Sequence, residues 1–197
     1  NNPDGSWRVG RSCGGMILGV KYDIYADQTL YGIDVHVDDQ SVVGTNMYAV
    51  LYEDDAAGDP IYLTQTDDYA ITSSDLGNWV TITFDGGEQL FAGTPYVAAV
   101  AGYANPIDTF QISVSGLSQA GTYIQDNGCD IGSGGFGYWY SASKPLMIRL
   151  NVGYLSSSTS INENVFNGRL NISPNPNNGV FNVNLSNVNS GDYIIKI

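Results

Sequence analysis

The chain has 197 residues, enough for one medium-sized domain and a smaller appendage. Its 20 acidic and 7 basic residues give a formal net charge of −13, which repels nucleic acid and anionic lipid and argues against both as partners. Glycine (24 residues) and tyrosine (14 residues) are abundant, as in proteins made of strands and tight turns, and no apolar run is long enough to predict insertion into a membrane.

Alternation of apolar and polar residues predicts strands along most of the chain. The predicted strands are residues 18–24, 31–37, 46–53, 60–63, 79–84, 96–101, 110–114 and 146–152. The segment 96–101 is apolar throughout, which is typical of a central strand covered on both faces. Asp85-Gly86-Gly87 and similar glycine-rich segments predict turns.

No segment shows a helical period with caps, so the sequence predicts an all-β protein. We expect residues 1–153 to form a jelly-roll-like β-sandwich, in which the first and last predicted strands pair. Residues 154–168 are rich in serine and asparagine and predict a flexible linker. Residues 169–197 then predict the beginning of a second, truncated small β-sandwich.

This C-terminal segment carries a specific motif. Pro174-Asn175-Pro176 is followed three residues later by Gly179, then by alternating apolar residues and by Gly191-Asp192-Tyr193. The motif resembles the C-terminal type A sorting domain of proteins exported by the type IX secretion system of Bacteroidetes. The resemblance is most specific from Pro174 to Phe181, and the later strands of that family are absent here. An ordinary proline-rich turn between two β-domains is the alternative.

The resemblance implies an extracellular or outer-surface protein whose partner is the type IX secretion machinery. It also implies that the sorting domain is removed when the protein is released or anchored. The sandwich is similar to a module found in large secreted Bacteroidetes proteins, through Ala26–Leu30, Leu76–Val80 and Lys144–Arg149. That second similarity implies export and no particular activity.

Cys13 and Cys129 are the only cysteines in the chain. In an exported protein, two cysteines predict one disulfide bond. Closing so long a loop stabilises the fold by roughly 4–5 kcal/mol in the chain-entropy model. Two buried free thiols are the alternative.

No residue set in the sequence predicts a catalytic site, and we expect the protein not to be an enzyme. His36 is the only histidine, and no Gly-x-Ser-x-Gly nucleophile motif accompanies it. Asp34, His36 and Asp38 share one face of a predicted strand, but side chains two residues apart lie almost 7 Å from one another, rather far for one metal ion. This pattern predicts a solvated outer face on which the pKa of His36 is raised.

Calcium is the cofactor that the sequence favours. Glu53, Asp54, Asp55 and Asp59 lie in one dense acidic loop, and Asp38-Asp39 form a second acidic pair. Ca²⁺ takes six to eight oxygen ligands from carboxylates and carbonyls, which such loops offer. The alternative is that these are ordinary turn-favouring aspartates.

Aromatic residues supply the candidate ligand-binding site. Tyr138, Trp139 and Tyr140 lie in a glycine-rich run, and alternation places Trp139 opposite the two tyrosines. Trp79 is a further candidate, opposite the face of Val80. An exposed ring can stack on the C–H face of a sugar, whereas the alternative is that Trp139 belongs to the core.

These features favour a secreted, non-catalytic module that binds carbohydrate. The alternative is a structural or adhesive surface protein whose sandwich assembles with itself or with a partner chain. An accessory domain of a secreted hydrolase is the third and least favoured hypothesis.

Overall fold

The computed structural model describes residues 3–10, 14–54, 59–105, 107, 109–116, 121–127, 137–152, 169–173 and 182–186. These residues contain strands and no helix, which confirms the predicted all-β fold. They therefore contain no helix that could cross a membrane. The chain divides into two compact units, Asn1–Leu155 and Ser156–Ile197.

Most strands of the first unit are short, and all of their pairings are antiparallel. They are β1 (Pro3–Val9), β2 (Gly15–Asp23), β3 (Gln28–His36), β4 (Asn46–Glu53), β5 (Ile61–Gln65), β6 (Tyr69–Ala70), β7 (Trp79–Leu90), β8 (Pro95–Gly102), β9 (Phe110–Ser115), β10 (Thr122–Asn127), β11 (Trp139–Ala142) and β12 (Ile148–Asn151).

The strands form two facing layers. One layer is a seven-stranded sheet in the order β11-β10-β2-β8-β4-β5, in which β6 also pairs with β4. The other contains the three-stranded sheet β12-β3-β7 and the pair β1-β9. Single bridges, Val37 to Ile112 and Val114 to Leu146, connect β9 to the chain beside β3 and β12. This arrangement is a β-sandwich.

The main core lies between the two layers. Leu18, Met47 and Val100 from the seven-stranded sheet pack in one cluster with Ile33 and Phe110 from the opposite layer. All five side chains are buried. Burying each such side chain stabilises the fold by about 1.5–3 kcal/mol, so the alternating pattern fixes which face of each strand turns inward.

Strand β8 is buried on both of its faces, as its apolar sequence predicts. Ala98 and Val100 face the main core, whereas Val97, Ala99 and Ala101 belong to a second apolar cluster on the outer face of the seven-stranded sheet. All five residues have no exposed surface. The seven-stranded sheet therefore has two apolar faces near its centre.

The prediction of a turn at Asp85-Gly86-Gly87 is wrong. The segment lies inside β7, which continues to pair with β3 beyond it, where Glu88 is opposite Leu30. Gly86 and Gly87 have φ angles of 75° and 78°. Glycine adopts this left-handed conformation without steric cost, so the extra residues bulge out of the strand instead of reversing it.

The predicted pairing of the first and last well-patterned strands is also wrong. The strands concerned are β2 and β12, which lie in opposite layers. Strand β2 already pairs with β8 on one side and β10 on the other, so no edge of it is open to β12. A hydrogen bond from the hydroxyl of Tyr22 to the carbonyl of Ile148 connects the two strands instead.

The described residues of the second unit form one antiparallel pair, β13 (Arg169–Ser173) and β14 (Asn182–Ser186). Asn171 and Asn184 are opposite each other at its centre. The two strands flank the Pro174-Asn175-Pro176 segment, which lies outside the described residues together with Gly179 and residues 153–168.

We expect Gly19→Ala to destabilise the sandwich, although alanine is the better strand residue. A Cβ atom at Gly19 would lie 2.6 Å from Cγ1 of Val97 and 3.0 Å from Cβ of Ala99. Both neighbours are fully buried and have little room to move, and overpacking of this kind costs about 1–3 kcal/mol. Urea unfolding monitored by tryptophan fluorescence measures the change. The exposed Ser141→Ala is the control, and a Gly19→Ala protein as stable as the wild type would contradict the expectation.

Candidate functional site

Six aromatic side chains lie together on the outer face of the seven-stranded sheet. We call this group the aromatic face; its members are Tyr48, Tyr52, Tyr62, Tyr103, Tyr123 and Trp139. The rings meet edge-on or tilted, with centroid distances of 5.0 Å for Tyr52–Trp139 and 5.3 Å for Tyr48–Tyr103. These are the geometries that aromatic pairs prefer.

The sheet curls toward the aromatic face. Trp139 on β11 and Tyr52 on β4 are separated by β10, β2 and β8, which on a flat sheet would place the two strands roughly 19 Å apart. Their rings nevertheless lie 5.0 Å apart. Gly19 and Ala99, on the strands between them, have little or no side chain. The large rings on either side therefore have room to approach each other above these two residues.

A charged pair adjoins these rings. Lys21, Val97 and Tyr52 are neighbours across β2, β8 and β4, and the Nζ atom of Lys21 lies 2.6 Å from Oδ2 of Asp54. The hydrogen bond to Asp54 raises the pKa of Lys21, so the ammonium group stays charged. The Asp54 side chain is buried, whereas that of Lys21 is partly exposed and retains donors for a ligand.

Three tyrosines of the aromatic face, Tyr48, Tyr52 and Tyr103, stay protonated at physiological pH. Burial raises the pKa of Tyr52 and of Tyr48. Tyr103 donates a hydrogen bond of 2.7 Å from its hydroxyl to Asp68. This hydrogen bond and, to a smaller extent, burial raise the pKa of Tyr103 to about 12. Tyr62 and Tyr103 are 53% and 50% exposed, so each offers a ring and a hydroxyl to solvent.

The structure separates the three aromatic residues that the sequence groups together. Trp139 is half-buried on the aromatic face, whereas Tyr140 packs against the main core on the other side of β11. Tyr138 precedes the strand and is 55% exposed. The predicted alternation between Trp139 and Tyr140 is therefore confirmed.

Trp79 lies on the opposite layer, and its ring is already in contact with other side chains. The guanidinium carbon of Arg149 lies 3.9 Å from the centre of its ring, and His36 meets the ring edge-on at 5.5 Å. Asp34 holds Arg149 in place at 3.0 Å and accepts further hydrogen bonds from Thr81 and Asn151. One ring face of Trp79 is thus already covered by a cation.

The predicted solvated position of His36, with a raised pKa, is wrong. His36 is only 8% exposed, beneath Trp79, and its Nδ1 lies 2.9 Å from the hydroxyl of Ser113. Burial lowers its pKa, and the charge of Asp38 and a hydrogen bond to the Gly77 backbone offset only part of this effect. The single bridge between Val37 and Ile112 places β9 beside the end of β3, so that Ser113 reaches His36, which periodicity within one strand does not reveal.

The acidic residues predicted to bind calcium occupy different environments. Asp54 is buried against Lys21, whereas Glu53 and Asp59 are exposed. Asp38 accepts a hydrogen bond from the backbone of Gln40, and Asp39 is exposed. Among the described residues, no three acidic, histidine or cysteine side chains are close enough together to hold a metal ion.

Some predicted site residues lie outside the described part of the chain. They are Cys13, Asp55, Cys129, Pro174, Asn175, Pro176 and Gly179. The predicted disulfide bond and sorting motif therefore stay predictions.

No model of a protein family matches the chain, and a search of curated proteins finds none of significant similarity.

We expect the stability of the sandwich to fall as the pH decreases below about 6.5, the ordinary pKa of histidine. The folded state lowers the pKa of His36, so between the two pKa values the unfolded chain binds the extra proton. The stability that His36 contributes is fully present above its pKa in the unfolded chain. It is lost as the pH falls from there toward the pKa of His36 in the folded protein, with a slope of at most about 1.4 kcal/mol per pH unit. Urea unfolding between pH 5 and 8 measures it. His36→Gln is the control, and an equal slope in this variant would rule out His36 as the cause.

Proposed function

We propose that the protein is a secreted or cell-surface, non-catalytic module that binds carbohydrate and is exported by the type IX secretion system. The observation that supports carbohydrate binding is the aromatic face with its adjoining Lys21–Asp54 pair. Sugar rings present apolar C–H faces and polar hydroxyls at once. A surface with exposed rings and a fixed charged pair offers partners for both.

The chemistry of the aromatic face matches a neutral glycan. Tyr62 and Tyr103 are half-exposed at the side of the face formed by β4, β5 and β8, where a sugar can stack. Asp68 accepts the hydrogen bond of Tyr103, and a carboxylate can also accept hydrogen bonds from sugar hydroxyls. The net charge of −13 disfavours a polyanionic ligand.

Export rests on the sequence motif from Pro174 to Phe181 and on its resemblance to type IX sorting domains. The acidic composition suits a protein that stays soluble outside the cell. Calcium stays part of the proposal, as a cofactor of the loop from Glu53 to Asp59. Because Asp54 is paired with Lys21, an ion there would depend on Glu53, Asp55, Asp59 and backbone carbonyls.

The alternative function, assembly through the sandwich, is supported by edge strand β5. Its residues Ile61, Tyr62 and Leu63 are all exposed. The register between β4 and β5 shifts at Leu51/Tyr52, which leaves Leu63 as an extra, bulged residue. Bulges blunt the pairing of edges, so carbohydrate binding is the function we favour.

A glycan array screened with and without calcium tests the proposal. We expect binding of neutral glycans, and the titration of a positive glycan should shift the tryptophan fluorescence. Tyr62→Ala and Trp139→Ala should weaken binding about twofold to tenfold, since a stacked ring contributes about 0.5–1.5 kcal/mol. If calcium is a cofactor, chelation will also lower the melting temperature.

Tyr25→Ala is the matched control, because this tyrosine is 88% exposed and lies outside the aromatic face. Equal affinity of the Tyr62, Trp139 and Tyr25 variants would contradict a site on the aromatic face. The absence of any glycan bound, together with concentration-dependent self-association in sedimentation, would favour the assembly function.

Cell fractionation tests the export proposal. We expect the protein in the culture medium or on the outer surface of a bacterium that has the type IX machinery, with the segment after residue 168 removed. Mass spectrometry of the C-terminus checks the removal. Accumulation of the intact chain in the cytosol would contradict export.

A further inference from the structure

Strand β7 is an edge of the three-stranded sheet. From Trp79 to Thr83 it pairs in regular register with β3, from His36 to Gly32. Among the residues that the structure describes, no strand pairs with its other side. The regular part of this edge ends at the bulge formed by Gly86 and Gly87.

The hydrogen-bonding direction of each β7 residue follows from one contact. The amide of Val37 donates to the carbonyl of Asn78 over 3.0 Å, so Asn78 faces β3. Backbone groups alternate in direction along an antiparallel strand, so Val80 and Ile82 also face β3. The N–H and C=O groups of Thr81 and Thr83 then point away from the sheet, where another strand could pair with them.

A cleft of about 630 Å³ runs beside this edge, between β7 and the chain that connects β5 to β6. Thr81 to Asp85 line one wall, and Gln65 to Tyr69 line the other. Asp67, Asp68 and Asp85 are among the lining residues, and no lysine or arginine is. The exposed backbone edge favours an extended strand as the ligand, and these carboxylates favour one that carries positive charge.

We propose that the β7 edge binds an extended, basic peptide segment of a partner protein as an additional antiparallel strand. Addition of a strand gives affinity through main-chain hydrogen bonds, and side-chain surroundings give selectivity. Lysine or arginine at alternate positions complements the three aspartates that line the cleft. A second copy of this chain fits poorly, because β7 carries Asp85 and Glu88 and no basic residue.

The probes are synthetic nonapeptides of alternating valine and lysine, and the same peptides with glutamate in place of lysine. Titration is followed by the amide NMR signals of Thr81 and Thr83 and by fluorescence anisotropy. We expect the lysine peptide to bind, with affinity that falls at high salt, and the glutamate peptide not to bind. Asp85→Asn should weaken the binding of the lysine peptide and make its affinity less dependent on salt.

Thr83→Pro removes one edge donor and leaves the ladder with β3 intact, because the N–H of Thr83 points outward. We expect this variant to bind the lysine peptide at least tenfold more weakly, whereas the control Thr83→Val retains the donor and the affinity. A lysine peptide N-methylated at alternate residues should also lose binding, and this arm requires no change in the protein. Equal binding of the methylated and unmethylated peptides, or of the lysine and glutamate peptides, would overturn strand addition.

Discussion

The sandwich depends on a strand that has no face in contact with water. Strand β8 buries Ala98 and Val100 in the main core and Val97, Ala99 and Ala101 under the aromatic face. A strand of this kind requires apolar cover from both sides. The opposite layer covers one side, and the rings of Tyr52, Tyr123 and Trp139 cover the other. The aromatic face therefore completes the fold with these rings and also presents Tyr62 and Tyr103 to solvent.

This double use explains why the aromatic face is only partly exposed. Its central rings exclude water from small residues such as Gly19 and Ala99, and its outer rings, Tyr62 and Tyr103, extend into solvent. The Lys21–Asp54 pair stands beside the central rings, where partial burial strengthens its attraction. A ligand bound here would meet a surface whose geometry is already set by folding, which lowers the entropic cost of binding.

Much of the fold is predictable from periodicity, because one face of most strands is buried. The strands around Leu18, Ile33, Val50 and Phe110 are all found as predicted. Strand β1 escapes prediction because its sequence, Pro3 to Val9, is polar and mostly exposed. The bulge at Gly86-Gly87 escapes because two glycines permit a turn and a bulge equally well, and only the pairing of Glu88 with Leu30 distinguishes them.

The candidate site is less predictable than the fold. Trp139 is identifiable from its aromatic run, but its neighbours Tyr52 and Tyr123 come from strands distant in sequence. Their alternation with core residues marks them as outward-facing, but does not show that the sheet curls and brings them together. The pairing of Asp54 with Lys21 likewise depends on the order of strands, β2-β8-β4, which no local pattern encodes.

That strand order also has a consequence for biogenesis. Both neighbours of β8 precede it along the polypeptide: β2 begins 80 positions before β8 and β4 begins 49 positions before it. The uncharged, apolar segment from Pro95 to Gly102 is of the kind that pairs readily with other chains when it is exposed. During synthesis from the N-terminus, it emerges when the two strands that enclose it are already present. The order of elements thus shortens the time for which this segment is exposed to intermolecular aggregation.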